Sequence, residues 1–291
     1  MRCEALGPIL STRIINAAGE TGRNFMDILI GNEQDASVPE VRAKGLLFVA
    51  DPHVADHPPN DRVGNYRKQI LAKVRFCLRT ARKHHLIPIF LGDLLHVPVD
   101  NSSSLLEELT TMFKAHVPWV LVGNHDKHLG ARTVTPDVSL MHLHTRGAIH
   151  LIGQPGPVFR LVTGGQRLVL GASPDGYALP SSVKGPKDTM VMWISHHNVA
   201  FPDFRDKPVP LVEIPGVHWV VNGHIHRPQP SVTKGMTCWA NPGNITRLSL
   251  TPHTRVRKPA ATIWRPGYRD LERVIIPHLP IGTIFPEARE E

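Results

Sequence analysis

The sequence predicts an α/β protein, and three observations carry that prediction. Short apolar runs at Leu46–Ala50, Ile87–Leu91 and Pro118–Val122 have the length and residue type of buried strands. Between them, Tyr66–His84 and Ser104–Ala115 repeat their apolar residues at helical spacing. Each run ends in Asp, Gly-Asp or Gly-Asn, the residues that turn a chain and hold cations. Strand, helix, strand, helix, strand implies a parallel sheet with right-handed crossovers.

Residues 1–44 give no motif. Pro8-Ile9-Leu10 reads as an early strand and Phe25–Ile30 as a short helix or strand, with a Gly-rich turn at Gly19 and Gly22 and a loop at Asn32–Ser37. This segment is expected to be an extension packed on the core. Helix Tyr66–His84 has a basic face of Arg62, Arg67, Lys68, Lys73, Arg75, Arg79, Arg82 and Lys83 with no intervening acid, either a solvated face or a phosphate-contacting stripe. Ser104-Leu105-Leu106-Glu107 has the form of a capping box and opens the second helix. Lys127–Thr145 reads as a loop with a short helix near Val138–Leu143.

From Ala148 the texture changes to short strands: Ala148–Ile152, Val158–Thr163, a Gly164-Gly165 hairpin, and Arg167–Gly171. Asp175–Asp188 is rich in Pro, Gly and Ser and reads as a loop. Met190–Ile194, Val217–Val221 and Met236–Ala240 are further buried strands, and Ala261–Trp264 and Arg273–Ile276 close the domain. Arg255, Arg257, Lys258, Arg265 and Arg269 form a second basic cluster. The expected division is an extension over 1–44, a core over 45–250, and closing strands and tail over 251–291.

The 291 residues suffice to bury a full core without staples. Three cysteines, Cys3, Cys77 and Cys238, match no zinc or redox spacing, and the odd count argues against a disulfide framework. No 18-residue apolar run occurs, and no continuous apolar core precedes Ser11, Thr12 and Arg13, so a soluble, cytoplasmic protein is expected. Formal charge is +8 and the pI about 9.7, which favours a polyanionic partner such as nucleic acid. The 18 histidines fit a site that uses several imidazoles as metal ligands.

Five strand ends carry the chemistry. Asp51-Pro52-His53 places a carboxylate and an imidazole where both can turn onto one cation. Gly92-Asp93 supplies a carboxylate whose two oxygens can bridge two cations. Gly123-Asn124-His125-Asp126 adds an amide oxygen and an imidazole able to donate a proton. His196-His197 follows the fourth strand, and since neighbours in extended chain face opposite ways, one of them turns inward; His196 is the one expected. Gly223-His224-Ile225-His226 places two imidazoles on one side of extended chain. Each motif is common alone; their conjunction is specific.

That conjunction resembles the calcineurin-like metallophosphoesterases. The resemblance covers about Gly45 to Leu248 and implies a four-layer α-β-β-α sandwich of two mixed β-sheets, with two metal ions at the strands' carboxyl edge. It assigns one ion to Asp51, His53, His226 and bridging Asp93, and the other to Asp93, Asn124, His196 and His224. It leaves His125 as general acid, oriented by Asp126. Two cations lower the pKa of a bridging water, aim the hydroxide at phosphorus and neutralise growing charge. The ligand set suits Mn, Fe or Zn, and the closer likeness described next favours Mn.

Within the family, Gly92-Asp93-Leu94-Leu95-His96 is similar to the Gly-Asp-Leu-Phe-His of SbcD-type DNA-repair nucleases, and Pro242-Gly243-Asn244-Ile245-Thr246-Arg247 to their Pro-Gly-Ser-x-x-Arg, with Asn for Ser. No Arg follows Asp93 in the manner of the protein phosphatases. The likeness implies that His96 positions the scissile phosphate and that Asn244 and Arg247 lie near a substrate groove. It makes DNA the expected substrate, ahead of small phosphodiesters such as cyclic nucleotides. It also implies a homodimer through the first two helices. Those nucleases continue into a segment that binds an ABC-type ATPase, so here that partner is either absent or docks by another surface, and a compact stand-alone nuclease of the phage type is the expected form.

Overall fold

A computed structural model of the chain describes residues 14–17, 25–29, 38–202 and 208–289. Along it run β1 (Ile14–Ala17), β2 (Phe25–Leu29), β3 (Glu40–Arg42), β4 (Leu46–Val49), α1 (Tyr66–His84), β5 (Ile87–Phe90), α2 (Ser103–Lys114), β6 (Trp119–Leu121), α3 (Ser139–Thr145) and β7 (His150–Ile152). The second half holds β8 (Gly156–Thr163), β9 (Gln166–Ser173), β10 (Pro180–Lys184), β11 (Met190–Ser195), β12 (Trp219–Asn222), β13 (Gln229–Lys234), β14 (Thr237–Asn241), α4 (Pro252–Val256), β15 (Ala260–Trp264), β16 (Glu272–Ile275) and α5 (Ile281–Ile284).

These strands make two mixed sheets and a small third one. The first has the order β16-β15-β4-β5-β6-β7, parallel from β4 to β7 and antiparallel at β15 and β16. The second has the order β13-β14-β12-β11-β9-β8-β3, with β14, β12, β11 and β9 parallel. β4 is buried at every position, as a central strand covered on both faces must be. Its Leu47 and Val49 meet α1 and α2 through Ile70, Val74, Leu105 and Leu109, while Leu46 and Phe48 enter the layer between the sheets with Leu170, Met192 and Ile194. The alternation of one strand thus fills two cores.

The two mixed sheets of the expected sandwich are present, with helices over the first. The outer face of the second sheet differs. Val169, Trp193, Val220 and Trp239 there meet Ile28 of β2, Val183 of β10, and Val199, Phe201, Ile214 and Val217, so strands and loop do the covering where helices were expected. β10 falls in the segment read as a loop. Its Pro and serines hide it from periodicity, and its partner β2 lies about 150 residues upstream. β13 and α4 were likewise unread, β13 because most of its side chains are exposed. Pro8-Ile9-Leu10, the Gly19 to Gly22 turn and Asn32–Ser37 lie outside the described residues.

Local signals explain the other boundaries. The cap of α2 is Ser102, whose Oγ accepts from the Leu105 amide at 3.1 Å, two residues before the Ser104 start read from sequence. His85 ends α1 in a left-handed conformation, its amide donating back to the Arg82 carbonyl. Gly164 and Gly165 both adopt positive φ in the two-residue hairpin that joins Thr163 to Gln166.

The basic face of α1 is not a free stripe. Arg67 pairs with Asp56 at 2.9 Å and Glu108 of α2 at 3.3 Å, and Arg75 pairs with the same Glu108 at 3.3 Å. Arg62 and Lys73 are buried. Acids missing from the helix's own sequence are supplied across the helix pair.

Candidate metal centre

Parallel strands share a carboxyl edge, so β4, β5, β6, β11 and β12 deliver their following residues to one place. Pairing continues past the strand ends: the His53 amide donates to the Asp93 carbonyl at 2.9 Å and the His96 amide to the Val54 carbonyl at 3.0 Å. The two loops are thereby zipped side by side. Asp51, His53, Asp93 and His224 all hold positive φ, between 44° and 67°. Non-glycine residues resist that conformation by about 1 kcal/mol or more each, and such strain tends to cluster at functional sites.

Among the described residues three groups of donor atoms result; two include carboxylates, and the third is His53, His96 and His125. Asp51, His53, Asp93 and His226 bring one ligand atom each within 4.8 Å of one another, and Asp93, His196 and His224 do the same. Asp93 belongs to both. Asn124 joins the second group, its Oδ1 lying 3.1 Å from His196 Nε2 and 3.0 Å from His224 Nδ1. His53 Nε2 and His226 Nε2 face each other at 2.9 Å. His226 is the exposed member, and its ring still turns to His53.

Each carboxylate is half committed. Asp51 Oδ1 accepts the His224 amide at 2.9 Å, while its Oδ2 is buried with no hydrogen-bond partner. Asp93 Oδ1 accepts the His125 amide at 2.9 Å, and its Oδ2 lies 3.6 Å from His53 Nε2 and 3.4 Å from His196 Nε2. One oxygen fixes each side chain to the backbone; the other points into the cluster. His196 repeats the logic, with Nδ1 on the Leu91 carbonyl at 2.7 Å, so that Nε2 turns inward. His197 instead meets the Tyr177 carbonyl at 2.5 Å. The Tyr66 hydroxyl donates to the His53 carbonyl at 2.8 Å, a support that no motif or spacing announced.

The electrostatics are those of a crowded, dry cluster. Burial raises the Asp51 carboxyl to about 7, while Asp93, despite burial, is held far below the carboxylate range by His196 and His53. Burial would lower His196, but Asp93 and Asp51 outweigh it and hold the imidazolium to about 10. Loss of water around the ring nitrogens pushes His224 and His226 down to about 4, the latter although part of its residue surface is exposed, leaving both neutral with lone pairs to donate.

Glycine is required where the loops touch. A Cβ on Gly123 would collide with the Asp93 carboxylate, and one on Gly92 with the His196 ring. Both glycines permit backbone to approach a ligand side chain at a distance no other residue allows.

The proton-donor candidates stand beside the first group. His125 Nδ1 lies 2.7 Å from the His96 carbonyl, its ring is T-shaped to His53 at 4.7 Å, and it stacks on the His96 ring. The expected orientation of His125 by Asp126 is corrected. Asp126 is fully buried, and its carboxylate accepts the Gly123 amide at 2.9 Å and the Leu95 amide at 3.3 Å, so it staples two loops together.

Asn244 and Arg247 also depart from expectation. Arg247 is 5% exposed; its Nε and Nη2 donate to the Arg257 carbonyl at 3.1 and 2.6 Å, and Nη1 to the Leu279 carbonyl at 3.2 Å. It clamps the chain, spending three of its five N–H donors on backbone carbonyls. Asn244 is 2% exposed, its amide on the His226 carbonyl at 3.0 Å and its Oδ1 on Arg257. Arg257 also donates to the His226 carbonyl at 3.1 Å. That unforeseen arginine, read only as part of a basic cluster, holds the loop of His226 in place.

No family profile and no curated protein matches the chain. Among solved structures, it is similar to a 5'-nucleotidase precursor from Thermus thermophilus, with 11% identity over 84% of this chain and 55% of that one and a TM-score of 0.44. The sulfate thiohydrolase SoxB of the same organism shares 11% identity over 87% of this chain and 58% of its own, with a TM-score of 0.41. A nuclease MPE from Pseudomonas putida shares 16% identity over 78% and 86%, with a TM-score of 0.32. The chain spans a little over half the length of the first two. With TM-scores below 0.5, none of these likenesses assigns it a function. Among the described residues, no helix is long and apolar enough to cross a membrane.

Proposed function

We propose that the chain is a two-metal phosphodiesterase of the calcineurin-like kind and that its substrate is DNA. The observation that carries the proposal is Asp93, common to two donor groups, beside an Asp51 oxygen buried without a partner. An orphaned carboxylate oxygen in a dry site costs several kcal/mol unless a cation or proton meets it. Carboxylate, imidazole and amide donors without thiolate fit Mn, Fe or Zn. Asp51, His53, His226 and Asp93 would hold one ion; Asp93, Asn124, His196 and His224 the other. Bound there, divalent cations supply Lewis acidity, polarising phosphoryl oxygens and offsetting the charge that builds on them.

The remaining steps belong to the chain. With Nδ1–H donated to the His96 carbonyl, His125 keeps Nε2 as the atom that carries a proton to the leaving oxygen. His96 stacks on that ring and borders a groove of about 860 Å³ whose wall includes Asn101 and Ser102, where nucleotides flanking the scissile phosphate would lie. Net charge of +8 and the Gly92–His96 run, similar to that of SbcD-type nucleases, support a nucleic-acid substrate.

A small phosphodiester is the second reading. It draws on α1 and the turn before it, where Arg62, Arg67, Lys73 and Arg75 are engaged internally and a long phosphate track loses half its charges. Mn-loaded protein incubated with labelled single- and double-stranded DNA, and with bis-p-nitrophenyl phosphate, separates the two. Cleavage of DNA with a steep fall in binding as salt rises is expected. Cleavage of the small ester alone moves the assignment to the second reading, and no hydrolysis of either removes both.

A further inference from the structure

Behind α1, away from the cluster of imidazoles, lies a pocket of about 530 Å³ whose lining has no acid. Arg62, Lys68, Lys73, Arg247 and His278 face it. Three of these cations are almost wholly buried: Arg62 at 3% exposure, Lys73 and Arg247 at 5%. Among the described residues none of them forms an ion pair; their partners are neutral. Arg62 donates to the Arg247 carbonyl and the Gln69 side chain, both at 2.5 Å, and Lys73 to the Ile245 carbonyl at 3.1 Å and the Thr246 hydroxyl at 3.3 Å. A buried charge met only by neutral oxygens leaves a large uncompensated cost, and several such charges side by side add mutual repulsion.

Arg62 gives a second, independent sign. Its Nε is buried without a hydrogen-bond partner, its guanidinium lies 5.0 Å from the Tyr66 ring centroid, and its Nη1 and Nη2 each spend one of two N–H groups on a neutral oxygen. The remaining N–H groups of such a fork match an anion's oxygens. The lining also holds apolar groups, Ala72 one turn along α1 from Lys68, and Pro259, Pro277, Leu279 and Ile284 from the carboxyl-terminal segment. Charge and hydrocarbon in one lining define an amphipathic ligand.

We propose that this pocket binds a small organic phosphate, its dianionic head against Arg62, Lys68 and Lys73 and an aromatic or apolar body against Ala72, Leu279 and Ile284. The occupant supplies the negative charge that the protein withholds there. It would also bridge α1 and the carboxyl-terminal segment carrying Leu279 and Ile284, which is held nearby by the Val63 amide on the Ile284 carbonyl at 2.9 Å and by Arg247 on the Leu279 carbonyl at 3.2 Å.

Calorimetric titration of the full chain with phenylphosphonate, which has no ester bond to hydrolyse, tests the site. Lys68 and Ala72 are exposed and lie outside the metal cluster, so Lys68→Glu and Ala72→Trp alter the pocket by charge and by bulk without removing an internal hydrogen bond. Each is expected to weaken binding about 10-fold or more, with unchanged bis-p-nitrophenyl phosphate hydrolysis and an unchanged circular dichroism spectrum. Inorganic phosphate should bind less tightly than phenylphosphonate. Equal binding by wild type and both variants would place the anion elsewhere and overturn the proposal, as would no binding at millimolar ligand. Inorganic phosphate binding as well as phenylphosphonate would overturn the apolar half. The readout does not depend on turnover, so it stands or fails separately from the phosphodiesterase assignment.

Discussion

His125 Nδ1 and the His96 backbone carbonyl oxygen are 2.7 Å apart, and the two imidazole rings stack with centroids at 5.4 Å. The bond fixes which nitrogen of His125 is committed, and the stack fixes the plane of its ring. In the proposed reaction this would aim His125 as the proton carrier without a carboxylate behind it. His125→Ala is expected to keep its full metal content, measured by elemental analysis, and to lose about 10²-fold or more in kcat. Wild-type turnover by that variant would remove His125 as the acid.

Asp126 makes the contrast. Replaced by Asn, it keeps one acceptor oxygen for two backbone amides, Gly123 and Leu95, and leaves one of them facing an NH2 group. Asp126→Asn is expected to lose about 1–3 kcal/mol of stability in urea denaturation, with a kcat far closer to wild type than that of His125→Ala. A kcat loss as large as that of His125→Ala at unchanged stability would restore an orienting role.

Asp93 serves both carboxylate-bearing donor groups, so Asp93→Ala should abolish tight binding of both ions at once. Gly123→Ala reaches the same end by steric means, because its methyl would occupy the space of the Asp93 carboxylate. Metal stoichiometry after dialysis reads both variants, and retention of two ions by Gly123→Ala would show that the Asp93 side chain can yield.

Arg247→Ala should act on stability and leave substrate affinity alone. Its three donated bonds reach the Arg257 and Leu279 carbonyls, and losing such charge-assisted bonds costs about 2–3 kcal/mol. Thermal unfolding and KM for bis-p-nitrophenyl phosphate separate the two effects. A raised KM at unchanged Tm would return Arg247 to the substrate.

Lys73 gives a pH dependence. Burial first, and then the neighbouring Arg62, Arg257 and Arg247, hold its ammonium well below the usual lysine value. Between that folded value and about 10.4 the unfolded chain holds a proton that the folded chain lacks, so unfolding free energy rises with pH through the window and is lost as pH falls. Lys73→Met is expected to be more stable at pH 7 and to flatten that rise, whose ceiling for one group is about 1.4 kcal/mol per pH unit. A less stable variant would show that the bonds to Ile245 and Thr246 outweigh the buried charge.

The strands that deliver the cluster were legible because their signal is local: β4, β5, β6, β11 and β12 are apolar runs punctuated by Asp, Gly, Asn or His. β10 was not, because Pro180 to Lys184 is strand only by virtue of β2, a partner remote in the chain. Lys73 shows a partial signal overlooked. It lies three residues after Ile70 and four before Cys77, on the face that both bury, although an ammonium group alone points to the solvent side. Arg247 and Asp126 carried the right residue types for a site and serve the scaffold instead, a difference set by carbonyls and amides that no spacing rule records.

Asp51, His53, Asp93 and His224 all hold left-handed backbone, and in the proposed metal centre that stiffness would decide which cation fits. Donors anchored on stiff turns cannot spread or shrink to suit a newcomer, so discrimination should follow ionic radius before coordination preference. Competition between Mn²⁺ and the larger Ca²⁺ at equal concentration would expose that rigidity, with near-equal uptake the sign of a pliant cage.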